Sequence, residues 1–260
     1  PGTTARWEEI QVANDITACL LSRAAAGPGA PALEAPSRAP MTWAVLGQRI
    51  RDARSRLASW NIQRGDVVAG AIADRAECLA ALAILPASST YATLDATLRV
   101  DDQVELLRRI GTKAVVVPAG GGGALGEAAR RLGIARMTMT TDAAEAGAFN
   151  LALAEPTASL DAPPRLGAEC AYVTATSGTT GRPKLATHGH RQIMITSLAL
   201  GARFAMTPAD TSAHLTPLHL GGGLRTGLLL ALIHGASVRC LPVGGAEAFV
   251  AAVEAGEVTY

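Results

Sequence analysis

Residues Ala171 to Lys184 run Ala-Tyr-Val-Thr-Ala-Thr-Ser-Gly-Thr-Thr-Gly-Arg-Pro-Lys, and no other segment of the 260 residues says as much about how the chain folds. The stretch starts as a strand, aromatic and β-branched, then breaks into hydroxyls and glycines and ends on a lysine. Glycines let successive backbone N–H groups turn toward an anion without steric cost, and the hydroxyls add donors. Lys184 adds a point charge for the outer oxygens of a phosphate chain, where a charge-assisted hydrogen bond contributes roughly 1.5–3 kcal/mol. The order is not that of a Walker loop, because Pro183 stands where that motif has its second glycine. By composition alone such a cluster is also an ordinary loop; its order is what sets it apart.

Outward from this stretch, strands and helices alternate. Downstream the pattern predicts a helix near 188–203, a strand over 211–216, a helix near 222–233, a strand over 236–241 and a helix near 246–255. Upstream, a helix over 6–26 ends at Gly27-Pro28-Gly29, and a short strand follows over 31–35. Thr42 caps a helix whose apolar stripe is Trp43, Leu46, Ile50, Ala53, Leu57 and Trp60, spaced by threes and fours. Arg64-Gly65-Asp66 turns into a strand over 67–73, and Asp74 caps a helix that Pro86 stops. Strands over 91–94, 113–117 and 135–140 enclose helices over 101–110 and 124–132. The glycines Gly120 to Gly123 lack the Lys and Ser/Thr of a phosphate loop and read as a surface loop. Residues 142–168, rich in Ala, Pro and Glu, read as a linker. The expected fold class is α/β: two stacked lobes with mainly parallel sheets, residues 1–168 and 169–260.

Composition narrows the function. The chain is 49% hydrophobic, 17% charged and only 3% aromatic, so its core is aliphatic and whole-chain disorder is excluded. Lys+Arg 23 against Asp+Glu 22 leaves a net charge of +1, with no electrostatic footprint for nucleic acid. Arg49, Arg51, Arg54 and Arg56 read as one solvated helix face. Cys19, Cys78, Cys170 and Cys240 lie far apart, which predicts buried reduced thiols and no metal site. The apolar run from Leu224 to Val238 is too short to span a bilayer. Trp7-Glu8-Glu9 interrupts any signal peptide, so a cytoplasmic protein is expected. An opening Pro1 in place of Met reads as a trimmed piece.

The order Thr176-Ser177-Gly178-Thr179-Thr180-Gly181-Arg182-Pro183-Lys184, with His188 and His190 beyond, resembles the signature loop of the adenylate-forming superfamily. That superfamily includes acyl- and aryl-CoA synthetases, luciferases and the adenylation domains of nonribosomal peptide synthetases. Met41-Thr42-Trp43-Ala44-Val45-Leu46, Arg64-Gly65-Asp66-Val67-Val68, the segment Leu85 to Asp95 and Leu215-Thr216-Pro217-Leu218-His219-Leu220-Gly221-Gly222-Gly223 are similar to further segments of the family. The resemblance implies a large-domain fragment that uses ATP and Mg2+ to turn a carboxylic acid into an acyl-adenylate. It then implies transfer to CoA or a phosphopantetheinyl carrier protein. It assigns Lys184 as catalytic, Thr176, Ser177, Gly178, Thr179, Thr180, Gly181 and Lys184 as the nucleotide loop, and His219, Gly221 and Gly222 to the acid side.

Three departures qualify the match. Leu185 replaces a common glycine. Leu220 stands where the family has a histidine, with His219 one place earlier, so either the loop shifts or that histidine is missing. The family's ribose-binding aspartate and C-terminal lysine fall beyond Tyr260, so the chain reads as an incomplete part of the enzyme. No acidic residue marks an amino-group site in the Pro-Leu-His segment, the nearest being Asp210, which favours a plain acid. Two alternatives stay open: an amino-acid-activating adenylation subdomain, and a non-catalytic lobe that docks another protein.

Overall fold

The computed structural model describes residues 14–73, 75–120, 123–154, 166–176, 184–241 and 245–260. Two sheets organise it. The first elements are helix α1 (Ile16–Ala26), strands β1 (Pro31–Glu34) and β2 (Met41–Thr42), helix α2 (Trp43–Ser59), β3 (Val67–Gly70), α3 (Ala76–Ile84) and β4 (Thr90–Thr93). Then come α4 (Val100–Arg109), β5 (Thr112–Pro118), α5 (Gly123–Leu132), β6 (Ala135–Thr141), β7 (Phe149–Leu153), β8 (Cys170–Thr176) and β9 (Lys184–Gly189). The chain continues through α6 (His190–Phe204), β10 (Thr211–His214), α7 (Gly221–Leu224), α8 (Leu230–His234), β11 (Ser237–Cys240) and α9 (Ala246–Glu254).

The larger sheet has seven strands in the order β7-β6-β5-β3-β4-β8-β9. Its inner pairings are parallel, and the edge strands β7 and β9 run antiparallel. The smaller sheet has four strands, β10-β11-β1-β2, with β1 parallel to β11 at Leu33↔Val238. Each sheet draws strands from both sides of residue 168.

Alternation along the inner strands sorts the core into layers. Val68, Tyr91, Val116 and Tyr172 join one apolar cluster with Leu33, Met41 and Val238 of the small sheet and with residues of α1, α2, α3 and α8. Val67, Ala69, Val115 and Val173 point the other way, against Leu106 and Leu107 of α4 and Leu125 of α5. The order is therefore small sheet, helices, large sheet, helices. All four cysteines are buried and unbridged.

Helix α2 begins as its sequence dictates. The Thr42 hydroxyl accepts from the Val45 N–H at 3.4 Å, and Trp43, Leu46, Ile50 and Leu57 are buried. Helix α1 starts later than its alanine content suggests. The Asp15 carboxylate accepts from the Ala18 N–H at 3.0 Å and fixes the first turn at Ile16; residues 6–13 of the expected helix lie outside the described residues. So does Asp74, the expected cap of α3.

Two strands depart from expectation. The linker expected over 142–168 contains β7, whose Phe149 and Leu151 are buried while Asn150 and Ala152 are exposed. The loop expected before 188 contains β9, so α6 begins only at His190. The single helix expected over 222–233 is broken into α7 and α8 by a π-turn at Arg225–Leu229.

The arginine face of α2 is not wholly solvated. The Ala154 N–H donates to the Arg136 carbonyl, so even-numbered residues of β7 face β6 and odd-numbered ones face outward. On that outer edge Arg49 donates to the Phe149 carbonyl at 3.1 Å and Arg56 to the Leu151 carbonyl at 2.8 Å. Helix side chains thus cover a sheet edge that would otherwise offer free acceptors.

Candidate functional site

Parallel strands direct their following loops to one edge of the sheet, and the loops after β3 and β4 part there. Helix α3, after β3, packs on one face, and α4, after β4, packs on the other. A crevice opens where such loops diverge, and ligands of open α/β sheets bind in crevices of this kind. Here it is a cavity of about 440 Å3, lined by Ile72 and Ala73 from the first loop, Leu94, Asp95 and Thr97 from the second, and His219.

Strand β8 lies beside β4, with Thr93 opposite Thr174, so its carboxyl end opens next to the crevice. There β8 and β9 form a hairpin in which Thr176 is the register partner of Lys184. Lys184 is exposed at the first position of β9. The expected loop residues Ser177, Gly178, Thr179, Thr180 and Gly181 lie outside the described residues, as does the side chain of Thr176. The hairpin explains why the lysine follows the loop at this distance: pairing with Thr176 brings it back to the strand end from which the glycines depart.

His219 lines the crevice, its Nε2 3.9 Å from Asp95 Oδ2, while Leu220 is 40% exposed. The imidazole one place earlier than in the family pattern is therefore the one that faces the cavity. Asp95 is itself fixed by a turn in which the Thr97 N–H donates at 2.8 Å and the Thr97 hydroxyl at 2.7 Å. Burial pushes the Asp95 carboxyl up, but the two Thr97 donors and the nearby His219 outweigh it and hold it below the usual range. Gly221 approaches β8 and β9: a Cβ built on it would meet Thr174 Oγ1 at 3.7 Å and His188 Nε2 at 3.8 Å. Gly222 has nothing within 4 Å.

Three features had no role assigned from the sequence. A Cβ on Gly223 would lie 2.5 Å from the Pro217 carbonyl oxygen, so Gly223, more than Gly222, lets the segment turn back on itself. His188 Nε2 pairs with Thr174 Oγ1 at 2.9 Å across the hairpin. Arg225 stands close enough to His188 to add to the burial that lowers the imidazole below its ordinary range. The available signal was period-two spacing from Lys184 to Ala186 to His188, which carries meaning only once β9 is known to be a strand. His190, the other histidine of the motif, lies elsewhere, buried beside Asp15 at the start of α6.

The profile described as "AMP-binding enzyme" matches residues 20–260. The chain belongs to this family. It is 28% identical over 237 residues to a 3-[(3aS,4S,7aS)-7a-methyl-1,5-dioxo-octahydro-1H-inden-4-yl]propanoyl:CoA ligase of Rhodococcus jostii, covering 84% of this chain and 46% of that one. It is 30% identical over 220 residues to an oxalate–CoA ligase of Arabidopsis thaliana, covering 82% and 42%. Among solved structures, ATP-bound MatB of Rhodopseudomonas palustris superposes with a TM-score of 0.76 at 22% identity, over 93% of this chain and 48% of that one. The chain thus has the fold of this solved structure over 93% of its residues and spans about half the length of the curated relatives it matches.

Proposed function

We propose that the protein takes part in ATP-dependent activation of a carboxylic acid. A carboxylate oxygen attacks the α-phosphorus of ATP and pyrophosphate departs; a thiol sulfur then attacks the acyl carbon and AMP departs. A carboxylate is a poor electrophile, and adenylation gives it a good leaving group. The chain's own contribution is positioning and charge: the hairpin mouth holds Lys184 at the carboxyl end of β8, where charge growing on the departing phosphates is stabilised. The observation that carries this reading is the pairing of Thr176 with Lys184 beside the crevice, in a chain of this family.

The acid is a plain carboxylic acid in this reading. Asp210, the nearest candidate for an amino-group partner, is taken up by the Thr207 N–H at 2.6 Å and the Thr207 hydroxyl at 2.9 Å. The acceptor is CoA, as the names of the two relatives favour, with a phosphopantetheinyl carrier protein as the alternative. Mg2+ belongs to the same proposal as counter-ion to the phosphates, and no step is assigned to it; among the described residues no three His, Cys, Asp or Glu side chains gather to hold a metal. Among the described residues no helix is long and apolar enough to cross a membrane. A cytoplasmic setting, where ATP and CoA are supplied, belongs to the same proposal. Acid-dependent exchange of pyrophosphate into ATP by the full-length protein tests it; no exchange across a panel of aliphatic and aromatic acids would overturn it.

A further inference from the structure

Of the four arginines that crowd α2, two are accounted for. Arg49 and Arg56 donate to the outward carbonyls of β7, and beside them Asp52 accepts from Gln48 Nε2 at 2.8 Å. Arg51 and Arg54 leave the helix on another side, where they border a groove of about 630 Å3. Its floor is apolar, made by Ala58 of the same helix, Ile62 of the turn that follows it and Ala87 of the turn before β4. Arg64 forms the far wall, but its charge is met by Asp15, and its Nε donates to the Ala87 carbonyl at 3.3 Å. The positive charge of the groove therefore rests on α2. There the Arg51 guanidinium meets the neutral Gln48 Oε1 at 3.0 Å, and among the described residues Arg54 has no partner. None of the residues lining the groove is acidic.

The groove sits at the amino ends of β3 and β4, since Arg64 and Ala87 precede these strands, whereas the crevice opens at their carboxyl ends. It lies at the opposite end of the large sheet from Lys184 and His219. We propose that this groove docks an acidic, amphipathic peptide segment of a partner protein. Two cations about one helical turn apart, with no acid to neutralise them, raise a local potential that Asp or Glu side chains of the partner lower. The floor adds what a small anion has no use for: apolar side chains of the partner settle against Ile62, between two alanines that leave them room. Nucleic acid is a poorer match, because no aromatic side chain lines the groove for a base to stack on and the whole chain carries a net charge of only +1. Docking here is independent of acid activation, since it leaves the crevice open and tethers the protein rather than feeding it substrate.

The test titrates the full chain, with isoleucine δ1 methyls labelled for NMR, against a peptide of repeated Glu-Glu-Leu-Leu. A saturable shift of the Ile62 methyl is expected, and it should weaken as salt rises, because exposed charge pairs are screened. Arg51→Gln combined with Arg54→Gln is expected to weaken binding roughly tenfold, the loss of two exposed charged contacts. Ala58→Glu should abolish it by setting an acid in the groove. All three residues are exposed, and the other isoleucine methyls report that each variant keeps the fold. Repeated Lys-Lys-Leu-Leu is expected to leave the Ile62 methyl unmoved. No shift of that methyl, or a shift indifferent to the arginine variants, overturns the inference. Equal binding of repeated Glu-Glu-Ser-Ser, or displacement of the peptide by inorganic phosphate at a similar concentration, overturns it in favour of a plain anion site. Tighter peptide binding by Glu8→Gln combined with Glu9→Gln overturns it in favour of the chain's own Trp7-Glu8-Glu9 as the occupant.

Discussion

The Ile16 N–H donates to Nδ1 of buried His190 at 3.4 Å, and the Asp15 carboxylate stands 3.9 Å from the same nitrogen. A nitrogen that accepts from a backbone N–H carries no proton, so the imidazole is neutral with its hydrogen on Nε2, which is buried without a partner among the described residues. Burial pushes His190 down to about 4, Arg64 acts in the same direction, and Asp15 only partly opposes them. The unfolded chain binds a proton near the ordinary histidine value while the native state resists until about 4. Stability is therefore full above about 6.5 and falls as the pH drops toward 4, by about 3 kcal/mol. His188 and His234, also lowered chiefly by burial, add with the same sign. Urea midpoints for wild type and His190→Gln across this range check it: the variant should show the shallower slope. Identical slopes would remove His190 from the account.

Asp15 produces a second, more acidic loss. Burial pushes its carboxyl up, but the Arg64 guanidinium, the Ala18 N–H and His190 outweigh this and hold it at about 2. Its contribution is present above the unfolded carboxylate value and disappears as the pH falls through about 2. Asp15→Asn should flatten this lower limb and, by removing the charge that partly supports protonated His190, steepen the loss attributed to His190.

Gly222 and Gly223 are neighbours with opposite tolerance. Gly222→Ala meets nothing within 4 Å and should be neutral or raise stability by up to about 1 kcal/mol through helix propensity. Gly223→Ala forces a methyl against the Pro217 carbonyl oxygen at 2.5 Å and the Thr216 carbonyl oxygen at 3.0 Å, backbone atoms that cannot swing away. It should cost roughly 1–3 kcal/mol and displace His219. Thermal unfolding of the two variants decides it; equal midpoints would mean that the segment relaxes freely.

Replacing both Arg49 and Arg56 by Met would uncover the outward carbonyls of Phe149 and Leu151. Each lost bond should cost about 1 kcal/mol, and the bared β7 edge should pair with another copy. Sedimentation velocity should show concentration-dependent association in the double variant and none in wild type. A monomeric double variant would show that another feature guards the edge.

On the acid-activation proposal, Lys184→Ala should slow acyl-adenylate formation by roughly 30- to 1000-fold, corresponding to ~2–4 kcal/mol, while acid binding weakens less. Rapid-quench measurement of the adenylation step separates the two. An unchanged rate would reduce the hairpin to a structural element.

Much of the fold was legible because single residues state it. Val67-Val68 and Val115 to Val117 are β-branched runs buried on both faces, and Thr42 announces α2. Strand β7 was hidden by its surroundings: Phe149, Leu151 and Leu153 do alternate, but among alanines, prolines and acids that read as linker. Strand β9 has no apolar alternation at all. Pairing with β8 makes it a strand, and nothing within residues 184–189 announces that partner. The loop motif itself was plain in sequence, and so were His219 and Lys184. His188 was named with the motif, but its nearness to Arg225 was not, because strand period and a segment more than thirty residues on must both be known before the two are seen to lie together.

The pairing of Leu33 with Val238 also bears on how the protein is made. A ribosome adding about 5–20 residues each second needs on the order of 10–40 s to travel from one to the other. Throughout that interval β1 has only the two-residue β2 beside it, and the smaller sheet cannot close. Contacts this distant in sequence also slow refolding, since the intervening chain must be ordered before they are rewarded. The small sheet should therefore be the last part of the molecule to acquire protection from hydrogen exchange, and the nascent chain should depend on chaperones that shield an apolar strand edge until β11 emerges.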